Sequence, residues 1–138
     1  MTADIYAKYL NSDGSEPEWL SEFKRCQQWI EDALEYNGGT HTIEDVLHAV
    51  ATNEMQLWPA DNSVIVGQIV QFPRKKAYHL PFVGGNLAEI ESMAPSIRAF
   101  AKFVGCDWIT SAGRRGWDRT FLRKEGAKPT WKWSTPSA

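Results

Sequence analysis

The apolar residues change period once, near residue 55, and that change constrains the fold more than anything else in the chain. Before it, Trp19, Phe23, Cys26, Ile30 and Leu34 recur every three or four residues, the single stripe of an amphipathic helix. Ser15-Glu16-Pro17-Glu18 is a helix start and Asn37-Gly38-Gly39 a stop. Thr42 with Asp45 opens a shorter helix whose apolar positions are Ile43, Val46, Leu47 and Val50. After residue 55 the period falls to two. Met55 to Trp58 reads as a short strand, Ser63 to Phe72 as a central strand rich in Val and Ile, and Ala77 to Val83 as a third. Turns at Pro59-Ala60-Asp61-Asn62 and at Pro73 to Lys76 join them into an antiparallel meander.

The helical period then returns. Asn86, with Glu89 three residues on, caps a helix over Leu87 to Val104, with Ile90, Met93, Ile97, Phe100, Ala101 and Val104 on one face. Pro95 is expected to interrupt this helix or to start its second part. Gly105 stops it, Cys106 to Ser111 forms a strand, and Gly113-Arg114-Arg115-Gly116 a loop. Trp117 to Glu125 is expected as a short helix and Lys128 to Ser134 as a last strand. The order ααβββαβαβ implies an α/β (α+β) fold, a mixed sheet with helices on both faces. Residues 1–14 and 136–138 are polar enough to be a flexible arm and a tail. Residues 15–135 then form one domain, with an acidic helical part over 15–54 and a sheet with two helices over 55–135.

Composition excludes several classes. In 138 residues, 43% hydrophobic and 23% charged, there is enough apolar material for a core, which argues against disorder. No apolar run is long enough to span a membrane, and the start MTADIYAKYL lacks the pattern of a signal peptide. Cys26 and Cys106 are far apart, without the paired spacings of a zinc site, and read as buried thiols. The net charge of −2 conceals a split. Residues 1–54 hold 11 acids and 3 bases, and the remainder 6 acids and 12 bases, a polarity suited to a charged partner.

The element order, with the QLWP segment, the PRKK turn, the GGNL start of the long helix, the GRRGWDR loop and the stretch Trp117 to Ala127, resembles the GNAT-type N-acetyltransferases over about residues 40–135. It is similar in particular to small GNAT-like proteins of tailed bacteriophages, some of which are internal components of the particle. The resemblance implies a bacterial host's cytoplasm and a place in the virion. It also implies acetyl-CoA as cofactor, its pyrophosphate cradled by a Q/R-x-x-G-x-G/A loop before the long helix, its pantetheine in a splay between strands.

Here that loop is Leu80-Pro81-Phe82-Val83-Gly84-Gly85-Asn86, so Val83, Gly84, Gly85 and Asn86 would be the cofactor-binding residues. Pro81 stands where a basic or amide residue belongs, and the two glycines are adjacent instead of alternate. Leu122 stands where the family often has its tyrosine acid. His79 and Glu89 are the available bases. The defective loop points to a non-catalytic, virion-associated structural or binding component without cofactor, partnered by other phage proteins or by itself. The alternative is a small acetyl-CoA-dependent N-acetyltransferase. A second alternative is a nucleic-acid-binding accessory protein, because Arg114, Arg115, Trp117, Arg119 and Arg123 interleave cations with an aromatic ring.

Overall fold

The computed structural model describes residues 5–36, 38–111 and 133–136. Helices α1 (Glu18–Tyr36) and α2 (Ile43–Ala51) precede strands β1 (Gln56–Pro59), β2 (Ser63–Gln71) and β3 (Lys76–Gly85). Helix α3 (Leu87–Phe103), β4 (Trp108–Ser111) and β5 (Trp133–Pro136) follow. The sheet is mixed, in the order β1-β2-β3-β4-β5. β1, β2 and β3 form the expected meander, β4 lies parallel to β3, and β5 pairs antiparallel with β4. The last strand thus ends two residues beyond the expected Ser134. The expected helix over Trp117 to Glu125 lies outside the described residues.

Alternation along β2 and β3 separates two apolar layers. Val64, Val66 and Phe82 pack with Leu20, Phe23, Cys26 and Ile30 of α1 and Val46 and Leu47 of α2. Ile65, Tyr78, Leu80 and Val83 pack with Ile90, Ala94, Ile97 and Ala101 of α3. Helices therefore cover both faces, as the alternating order of elements requires. Between the pairs Val66↔Phe82 and Gln68↔His79, Gly67 alone faces Leu80 and Pro81. This bulge in β3 shifts the alternation by one residue, so that Tyr78, Leu80 and Val83 share the α3 side. It also lets a proline sit in a central strand, where it would otherwise cost a ladder hydrogen bond.

Opposite the bulge, Gly67 makes room for a ring. The Tyr78 side chain is fully buried, and a Cβ on Gly67 would fall 2.6 Å from its Cε2. The phenol donates to Gln56 Oε1 (3.0 Å) and accepts from Trp58 Nε1–H (2.9 Å), tying β3 to β1 across β2. Burial pushes its pKa above the ordinary phenol range.

Two expectations change in detail. Helix α3 runs through Pro95 without interruption. Pro95 is exposed, and a mid-helix proline costs about 3 kcal/mol. Burial of Ile90 and Ile97 on the other face contributes about 1.5–3 kcal/mol each, enough to hold the helix on the sheet. Part of the segment expected as an arm over 1–14 packs against the helices, while residues 10–14 are exposed. A 3-10 turn at Ala7–Tyr9 sets Ile5, Tyr6 and Tyr9 against the α1/α2 layer. Tyr9 meets the Trp19 ring edge-on at 5.9 Å and its hydroxyl reaches His48 Nδ1 at 3.2 Å. At the start of α1, Ser21 N–H bonds to Pro17 C=O, so Pro17 is the cap position and Glu18 the first helical residue, while Ser15 turns back to Asp13.

Candidate functional site

The glycine segment at the end of β3 is the position where the resemblance puts a cofactor. Gly84 and Gly85 do not break the chain there. They continue β3, paired with Val64 and Ser63 of β2. A Cβ on Gly84 would stand 2.8 Å from the Trp29 carbonyl oxygen, so the missing side chain is what lets α1 rest on the strand. Gly85 has φ +109°, a left-handed conformation that favours glycine, and a Cβ there would meet Ser63 Cβ at 2.6 Å. Val83 is buried in the α3-side layer. Asn86 caps α3: its Oδ1 accepts from Glu89 N–H (2.9 Å), and its own N–H donates to Asn62 C=O (3.0 Å).

A pyrophosphate cradle needs free backbone N–H groups and a positive helix end. Here Glu89 brings a carboxylate to the first turn of α3. It accepts from Asn62 N–H (2.8 Å) and from the Ser63 hydroxyl, a fully buried group. The favourable interaction of negative charge with the helix start is thus supplied from within the chain. Val83, Gly84, Gly85 and Asn86 are each engaged by strand pairing, packing or capping within the chain.

His79 and Glu89, the two candidate bases, are not brought together. His79 is half-buried on the α1/α2 side of the sheet, between its ladder partners Gln68 and Thr110, with Nδ1 2.8 Å from Thr110 Oγ1. Glu89 is tied to Ser63, which pairs with Gly85, six residues further along β3. At about 3.3 Å per residue that is about 20 Å, too far for joint action on one substrate. The structure instead places two other histidines near Gln68. His41 and His48 line an open cavity of about 560 Å³ with Glu44, Asp45, Glu54 and Gln68. Their spacing of seven, with Glu44 and Asp45 between, is the helical periodicity that would have marked them. Asp45 is already bound into the α2 capping box with Thr42, which holds its pKa below the ordinary carboxylate range. Among the described residues no group of three or more His, Cys, Asp or Glu side chains is placed to hold a metal ion.

Cys26 and Cys106 are buried in the two different layers. Burial pushes both thiols upward in pKa, the reverse of what a nucleophile needs. Arg114, Arg115, Trp117, Arg119 and Arg123 lie outside the described residues. Arg74 and Lys75 do form the expected tip of the β2–β3 hairpin, and no described helix is long and apolar enough to cross a membrane. Comparison of the chain with known families, characterised proteins and solved structures returns no match.

Proposed function

We propose that this protein is a non-catalytic structural or binding component built on a GNAT-like arrangement, of the kind carried in bacteriophage particles. One observation supports this reading above the others. The segment that would cradle pyrophosphate is strand β3, its glycines fitted against Trp29 and the β1–β2 turn, with the Glu89 carboxylate at the helix start beside it. A chain with this packing holds itself together with the residues that a transferase would give to its cofactor. The test is release of free thiol from acetyl-CoA in the presence of primary amines. No release above spontaneous hydrolysis is expected; amine-dependent release would overturn the reading.

The alternative, an acetyl-CoA-dependent N-acetyltransferase, draws on a different observation. Parallel pairing of β3 with β4 covers only Ala77 to Leu80, against Trp108 to Ser111. From Pro81 on, β3 is paired on its β2 side alone among the described residues, and the resemblance puts a pantetheine arm between strands that part in this way. That reading requires turnover in the thiol assay.

A further inference from the structure

Three of the four large apolar side chains that stand exposed among the described residues gather at one end of the sheet. They are Ile69 and Phe72 near the end of β2 and Phe103 in the last turn of α3, which is 86% exposed. The two elements are locked together there. Lys76 Nζ donates to Val104 C=O (2.9 Å), and Asp107 N–H donates to Lys76 C=O (2.7 Å). The hairpin tip is closed by Phe72 N–H on Lys75 C=O (2.8 Å) and by the Gln71 amide on Phe72 C=O (2.7 Å). Between this tip and Trp108 runs an open groove of about 410 Å³, lined by Phe72, Pro73, Arg74, Lys75 and Trp108. Two aromatic rings and a proline wall it, two exposed cations rim it, and Lys102 stands exposed beside Phe103. The adjoining Asp107 carboxylate is occupied by Lys76 N–H at 2.9 Å.

The complementary charge is on the same chain, along α1. Glu16, just before α1, and Glu22, early in it, are paired with Lys24 and Arg25. After Arg25 the helix carries Glu31, Asp32 and Glu35 and no further cation. Glu31 and Asp32 accept only from the neutral amides of Gln27 and Gln28 among the contacts described. Half-buried Leu34 flanks them. Arg25 reaches Asp61 C=O and Trp29 lies on Gly84, so this helix crosses the sheet at the Gly85 end of β3. Ten residues of strand, about 30 Å, separate that end from the hairpin tip.

We propose that the hairpin groove docks the C-terminal third of α1 of a second copy of this chain. Arg74 and Lys75 face Glu31, Asp32 and Glu35, and the apolar walls receive the Leu34 flank. The contact joins two different patches, so it propagates head to tail into rings or filaments. Single-stranded nucleic acid suits the groove less well. Such binding uses a line of cations that tracks a phosphate backbone, whereas two cations, Arg74 and Lys75, line this groove among the described residues. The inference rests on the reading of the protein as a structural or binding component and names its partner.

Sedimentation velocity on the full chain tests it. The wild type is expected to associate with rising concentration at about 20 mM salt and to return to monomer at about 0.5 M, as the charges are screened. Two neutralised variants, Arg74→Ser with Lys75→Ser and Glu31→Gln with Glu35→Gln, are each expected to stay monomeric at low salt with unchanged circular dichroism. Mixed in equal amounts they are expected to give a 1:1 dimer and nothing larger, because only one intact groove then meets one intact helix. A monomeric wild type at low salt, or variants that associate like the wild type, would overturn the proposal. So would a single-stranded oligonucleotide bound by the wild type and lost in the tip variant without any self-association. Acetyl-CoA turnover would overturn the reading above and leave this contact standing; monomeric behaviour would do the reverse.

Discussion

Gly84→Ala separates a packing role from a ligand role with one methyl group. In a β-strand alanine ordinarily gains about 0.5–1 kcal/mol over glycine by reducing the entropy of the unfolded chain. Here the new Cβ would lie 2.8 Å from the Trp29 carbonyl oxygen and 3.1 Å from Trp29 Cβ. The first of these is helix backbone, so it cannot rotate away, and α1 must lift from β3. Overpacking of that kind costs about 1–3 kcal/mol. The net is a destabilisation of about 1–2 kcal/mol, or about 4–8 °C in Tm at about 4 °C per kcal/mol for a domain of this size. Thermal and urea melts followed by circular dichroism measure it. Trp29→Ala in the same background is expected to give no rescue, because the obstructing oxygen belongs to the main chain. A Gly84→Ala protein as stable as the wild type would refute the argument and return the glycine to a ligand-facing role.

Other consequences can be read in the same melts and in simple chemistry. Tyr78→Phe strands Trp58 Nε1–H and Gln56 Oε1 and is expected to cost about 1–3 kcal/mol in urea unfolding; an unchanged midpoint would mean the triad contributes nothing. Asp13, Glu16 and Asp45 all have depressed pKa values through hydrogen bonds to Ser15, Lys24 and Thr42. A lowered folded-state pKa stabilises above the unfolded value near 4 and is lost as pH falls through the folded one. Tm is therefore expected to be flat from pH 7 to about 4.5 and to fall below about 4, less steeply in Asp45→Asn. Cys26 and Cys106, buried and with raised pKa values, are expected to resist a disulfide reagent at pH 8 until denaturant is added. Fast labelling of either in the native protein would contradict their placement.

The elements built on repeating periods were legible in the residues. The stripe Trp19 to Leu34, the Thr42–Asp45 capping box, the Val- and Ile-rich β2 and the Asn86 cap of α3 all report on neighbours within four positions, and each stands where its spacing puts it. What failed to show depends on distant partners. Gly84-Gly85 reads as a break because glycine pairs are turn signals, and only Ser63, Val64 and Trp29, 20 to 55 positions away, turn it into strand. The bulge at Leu80-Pro81 lies opposite Gly67, whose missing side chain leaves room for the Tyr78 ring. Tyr9 docks through Trp19 and His48, so part of a polar-looking arm packs against a core. The surroundings of the candidate site depend on distant partners in the same way. Glu89 has the sequence position of a cap or a base, and what it touches, Asn62 and Ser63, is a tertiary contact.

The end of β3, filled by the chain's own packing, is proposed not to hold acetyl-CoA. Thermal shift against the cofactor is the most direct measurement of it. A ligand at 1 mM that bound with a Kd of about 10 µM would add about 2.7 kcal/mol of stability, roughly 10 °C here by the conversion above. No rise in Tm is expected with acetyl-CoA or CoA at about 1 mM. A rise of several degrees that disappears in Gly84→Ala would contradict it.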